Sequence, residues 1–322
     1  LRDAIPSRWP AKVEELRSLR QERPDIDLAG FLFESGLELE DIYEGTRCWS
    51  DLREAAGAPT LPSGPHEQSL RRAMGRLLHI DDEERLGAYR VLLGHGVPPS
   101  MTSLSERERR RIHMLVASVA DRAVSKDGTL QHGVDLLWEH PQVRAELGEL
   151  VALLDQRINH VHEPLWMLAE VPLQIHARYT RIEVLAAMGV SSKARIAAWQ
   201  SGVYEAKTAN AELLAFTLDK TSGSFSPTTR YRDYAISRTL IHWESQAITR
   251  ADSPTGLRYR HHERDRRVIL LFTRLRADDR AFWFLGPATY RGHVGEKPMA
   301  ITWELHRPLP GDLYAQFAAA VA

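Results

Sequence analysis

Four rings, Phe225, Tyr231, Tyr234 and Trp243, are interleaved with Ser226, Thr228, Thr229, Asp233, His242 and Gln246 in one stretch of the chain. Rings beside short hydrogen-bonding groups make a cage for a flat polar ring, such as a base taken out of its stack. In that reading Phe225, Tyr231, Tyr234 and Trp243 stack, with Ser226 beside them. Asp233 then accepts a hydrogen bond from an exocyclic amine such as N4 of cytosine. The same rings also fit a strand pair with ordinary core aromatics, because buried aromatic side chains are the rule in folded proteins.

Charge adds a second signal. From Lys220 to Arg291 the chain holds thirteen Arg and one Lys against seven carboxylates, a net charge of +7. The whole chain carries −1, so the remainder carries −8. An excess of Arg suits phosphate contacts, since the planar guanidinium meets two phosphate oxygens at once and is weakly hydrated. Lys220, Arg230, Arg232, Arg238, His242, Arg258, Arg260, Arg264, Arg266 and Arg267 are the candidates to hold a DNA backbone around an extruded nucleotide. The competing reading is a solvated arginine face paired with Asp and Glu elsewhere. Arg107, Arg109, Arg110 and Arg111 form another cluster that fits either phosphate contact or a solvated helix face.

Other chemistries find little support. No phosphate-binding loop, nucleophile elbow or zinc-hydrolase motif occurs, so no catalytic residue is assigned. Glu205-Ala206-Lys207 forms half of a metal-dependent nuclease signature, but no strand Asp precedes it at a suitable spacing. His160 and His162 have the alternate spacing of a strand metal pair. A zinc site needs about three or four protein ligands, and the others are not recognisable, so no metal is expected.

The elements that must position these residues fall into two parts. Residues 1–164 carry apolar positions at helical spacing, broken by loops rich in Pro and Gly, and are expected to form a helical domain. Ser105 caps its clearest helix, followed by Glu106 and Glu108 in the first turn and an apolar face of Ile112, Leu115, Val116 and Val119. Residues 165–322 hold short apolar or alternating runs at 213–218, 235–243, 257–261, 268–275, 281–285 and 299–305, separated by turn signals. A helix is expected near 182–188 and a closing one at 312–321. The fold class is therefore α+β: a helical domain, then a curved mixed sheet or small β-barrel with flanking helices.

The ordered motifs FSPTTRYRDYAISRTLIHWESQ, SPTG at 253–256, LLF at 270–272, FLG at 284–286 and ITWEL at 301–305 carry a family resemblance. This segment resembles the closing domain, long of unassigned function, of bacterial fusions between a phospholipase-D-type nuclease and a superfamily 2 helicase. GLELEDIY at 36–43 and CWSDLR at 48–53 resemble the helical segment that follows the motor in those fusions. The resemblance implies a type IV restriction enzyme that attacks DNA carrying modified cytosine, 5-methyl or 5-hydroxymethyl. The closing domain would then read the target, similar in role to base-flipping domains of the SRA kind, with an SRA- or PUA-like barrel. It further implies nuclease and helicase domains in cis, with ATP and Mg belonging to those domains and no cofactor in this segment. The alternative function, of another class, is a protein-interaction module of a defence complex with the aromatic loop as its hot spot.

At 322 residues and 43% hydrophobic content the chain can bury real cores in about two domains. One cysteine, Cys48, excludes an internal disulfide and fits a reducing cytoplasm. No apolar run approaches the length of about 20 residues that a membrane helix needs, so no membrane partner is expected. The chain begins at Leu1 without Met, which suggests a fragment of a longer protein.

Overall fold

The computed structural model describes residues 8–218 and 233–321. The chain divides into two compact units, Leu1–Asn159 with Ser191–Ile196, and His160–Val190 with Ala197–Ala322.

The first unit is helical, with α-helices at Trp9–Glu22, Leu28–Ser35, Leu39–Ile42, Trp49–Ala55, Glu67–Arg71, Glu83–Leu93, Glu106–Val119, Leu130–Trp138 and Pro141–Gln156. The last of these supplies two carboxylates that close the N-termini of neighbouring helices. Trp49 and Ser50 donate their backbone N–H groups to the two oxygens of Glu146, each at 2.9 Å, and Leu28 donates to Glu149 at 2.7 Å. A helix start leaves about four N–H groups without internal partners and carries partial positive charge, so a carboxylate satisfies both needs. Burial pushes the carboxyls of Glu146 and Glu149 upward, and these hydrogen bonds oppose that push.

Glu106–Val119 begins as its sequence predicts. Ser105 accepts from the Glu108 N–H, and the Glu108 carboxylate accepts from the Ser105 N–H at 2.8 Å, a reciprocal capping box. Its arginines bond within the unit. Arg107 and Arg111 pair with Glu84, while Arg109 and Arg110 pair with Glu106.

Among the described residues the second unit has the strands β1 (Glu163–Pro164), β2 (Gln174–Ile175), β3 (Arg178–Thr180), β4 (Val203–Ala206), β5 (Ala211–Thr217), β6 (Tyr234–Ala235), β7 (Leu240–Glu244), β8 (Val268–Arg274), β9 (Ala281–Val294) and β10 (Ala300–Leu305). β1 and β2 form a separate pair. The others make one mixed sheet in the order β4-β5-β8-β9-β10-β7-β6, with β3 also on β9. Among the described residues β5 and β8 pair in parallel and the other neighbours are antiparallel. Among the described residues the sheet does not close, so the open alternative holds rather than a barrel. Every residue of β5 is buried, as expected for a strand covered on both faces. β10 alternates instead, turning Ile301, Trp303 and Leu305 into the core opposite Trp243 and Ile241 of β7.

Three expected strands differ, and the run at 235–243 is split into β6 and β7 by a bend at 236–239. Residues 257–261 belong to the helix Pro254–Arg260. Ser253 caps it by accepting from the Gly256 N–H at 3.2 Å and Pro254 stands in its first turn, so start signals outweigh the apolar alternation. A Cβ on Gly256 would lie 2.0 Å from the Arg250 carbonyl oxygen, so glycine is required for this close approach. The run at 281–285 is the start of a strand that continues to Val294. β3 pairs with the start of β9, and pairing with β8 and β10 holds the extension.

Candidate functional site

A cavity of about 590 Å³ opens in the sheet unit. Its wall comes from Val203 of β4, Ala215, Phe216 and Thr217 of β5, Arg274 at the end of β8, and Trp243 and Glu244 of β7. Arg181, Asp233 and the segment 245–248 complete it. β9 and β10 separate β8 from β7 in the sheet order, so curvature of the sheet brings its two ends to one cavity.

Asp233 is buried, and its Oδ1 accepts from the Glu244 N–H at 2.9 Å, which fixes the carboxylate at the wall. Trp243 is 3% exposed. Its ring meets Tyr259 edge-on at 5.6 Å and Trp303 at 6.4 Å, so one indole serves both core and cavity. Tyr234, 37% exposed, stacks on His242 at 4.6 Å, its register partner across the β6–β7 pair. Phe225, Ser226, Tyr231, Lys220, Arg230 and Arg232 lie outside the described residues.

The remaining backbone candidates have these places. Arg258 donates through Nε to Glu212 Oε1 at 2.6 Å, and Arg267 donates to the same oxygen at 3.1 Å and to Glu205 at 3.1 Å. Glu212 is wholly buried in β5. Burial pushes its carboxyl upward, against the pull of Arg258 and Arg267. Arg238 donates to the Leu309 carbonyl at 2.6 Å and Arg260 to the Ala251 carbonyl at 3.2 Å. Arg264 is exposed and bonds its neighbour Asp265. Arg266 stands at a φ of 51° in the turn before β8. Glu205 is thus engaged by Arg267, and Lys207 sits in the short 3-10 turn Lys207–Ala209 rather than on the strand.

Sequence reasoning missed the cationic end of the cavity. Arg181 follows β3 and Arg274 ends β8, yet both guanidiniums lie over the ring of Phe282 in β9, at 5.3 and 4.8 Å from its centre. Arg181 also covers Trp199 and donates to its carbonyl at 3.3 Å. Arg274 donates to Thr217 Oγ1 at 2.9 Å and to the Asp279 carbonyl at 2.6 Å. Burial pushes both guanidiniums below their ordinary value, and the Arg274 charge adds to that push on Arg181. No spacing in the chain links positions 181, 274 and 282. Only the β3–β9–β8 pairing joins them, and the arginine excess around 274 was the one available signal.

The arrangement defines a class: an α+β unit whose open, curved sheet holds a cavity with aromatic walls, one buried carboxylate and two stacked arginines. Residues 173–317 match the family model described as a domain of unknown function, DUF3427. Apart from residues 191–196 the matched segment lies within the sheet unit. No curated protein matches the chain. Among the described residues no helix is long and apolar enough to cross a membrane.

Proposed function

We propose that the sheet unit binds duplex DNA and receives a modified cytosine, 5-methyl or 5-hydroxymethyl, in this cavity. The unit would be the target reader of an ATP-dependent, modification-dependent restriction enzyme whose motor and nuclease domains lie elsewhere in the same polypeptide.

The observation that carries this reading is the cavity, whose volume of about 590 Å³ falls in the usual range for small-molecule sites of about 300–1,000 Å³. Extruding a base costs a few kcal/mol, which stacking walls and polar contacts must repay. Phe216 and Trp243 supply apolar ring surface, and Asp233 supplies an acceptor held in place by the Glu244 N–H. A cytosine offers the matching donor at N4.

The test is one duplex prepared with cytosine, 5-methylcytosine or 5-hydroxymethylcytosine at a single position, titrated with the chain at two salt concentrations. The expected result is salt-dependent binding to all three with tighter binding of one modified form. Asp233→Asn retains an oxygen for the Glu244 N–H and should lose the preference while keeping plain-DNA binding. Equal affinity for all three duplexes would refute the reading.

A further inference from the structure

Arg181 and Arg274 place two like charges over one ring, within a partly buried wall. Neither forms an ion pair with a carboxylate among the described residues. Among the described residues Asp279 and Asp278 offset the Arg274 charge, and Arg181 Nε is buried with no hydrogen-bond partner. Elsewhere in the same unit partly buried cations are neutralised at close range, as Arg258 and Arg267 are by buried Glu212. An unpaired buried cation is costly, and two together cost more. Such a pair persists where an anion completes it, and a guanidinium presents the donors that phosphate oxygens accept.

We infer that Arg181 and Arg274 form a phosphate seat at one end of the cavity, occupied by the phosphate of the nucleotide whose base enters it. This rests on the cavity reading above and adds what holds the nucleotide at its other end. Thr217 Oγ1 and the Asp279 carbonyl hold the Arg274 fork, and stacking on Phe282 and Trp199 holds Arg181. The seat is therefore set before ligand arrives, so little ordering is needed on binding. Asp233 and Glu244 line the cavity from the β6–β7 side, and Arg181 and Arg274 line it from the ends of β3 and β8.

Calorimetry of the whole chain with 5-methyl-dCMP, 5-methyldeoxycytidine, dAMP and inorganic phosphate tests this. The nucleotide is expected to bind about tenfold to a hundredfold tighter than the nucleoside, the range of charge-assisted hydrogen bonds. Inorganic phosphate should compete with it. Arg181→Gln and Arg274→Gln should each abolish the advantage, whereas exposed Arg264→Gln should keep it. Arg181→Lys and Arg274→Lys retain charge without the fork and should keep part of it, which carries the test if a Gln variant fails to fold. If dAMP binds as well as 5-methyl-dCMP with the same arginine dependence, the seat stands and the modified-cytosine reading falls. Equal binding of nucleotide and nucleoside, no competition by phosphate, or no binding of any phosphate compound at millimolar concentration overturns the seat.

Discussion

Glu212 decides whether the basic segment is a free DNA-binding face or partly a structural network. Its carboxylate is completely excluded from solvent, and Arg258 and Arg267 both donate to its Oε1, at 2.6 and 3.1 Å. Glu212→Ala removes two charge-assisted hydrogen bonds, each worth about 1.5–3 kcal/mol, and leaves two cations beside a cavity in β5. Breaking a buried pair typically costs about 3–5 kcal/mol. The side chains of Arg258 and Arg267 keep 28% and 16% of their exposure, and Arg267 retains Glu205, so water and one carboxylate recover part of that loss. The expected cost is about 3 kcal/mol, or about a hundredfold faster opening of the unit. Amide hydrogen exchange of the β5 and β8 segments measures this without requiring the two units to unfold together. Arg264→Gln, at an exposed guanidinium bonded to adjacent Asp265, should leave protection unchanged. A loss below about 1 kcal/mol for Glu212→Ala would refute the reasoning and return Arg258 and Arg267 to the pool of free phosphate-binding groups.

Burial, then the charge of His162, holds the His176 pKa down to about 4, below the ordinary 6.5. The unfolded chain therefore takes up a proton that the folded chain refuses. The stability present above about pH 6.5 should fall by about 3 kcal/mol as the pH drops to 4, and His176→Asn, which tolerates the φ of 74° there, should flatten that fall in urea titrations. Gly256→Ala should cost about 1–3 kcal/mol, because its Cβ meets the Arg250 carbonyl oxygen at 2.0 Å. In contrast Gly87→Ala, within the helix Glu83–Leu93 with open space around the new methyl, should stabilise the first unit by about 0.5–1 kcal/mol; thermal melts that rank these two the other way would show the Gly256 turn to be adjustable.

Sequence determined the features that depend on neighbours along the chain. Apolar spacing and Ser105 placed the helix Glu106–Val119, because capping and helical period are local. A continuous apolar run placed β8 and alternation placed β10, and the shift from helical to strand period announced the α+β class. Where two local signals competed, as at 253–260, the cap and Pro254 prevailed over the apolar alternation. Asp233 and Trp243 were legible as cavity residues by type, and the Arg excess was legible as charge.

Only the tertiary structure decided which charges are available. One oxygen of Glu212 in β5 binds Arg258 of the helix Pro254–Arg260 and Arg267 just before β8, a contact that no spacing encodes. Arg181 and Arg274 meet over Phe282 because β3 and β8 both pair with β9. Strand pairing joins residues remote in sequence at distances set by register, while sequence patterning reports only what each strand buries. The cavity exists because the sheet curves until β5 and β7 share a wall, and curvature is a property of the whole sheet rather than of any one of its strands.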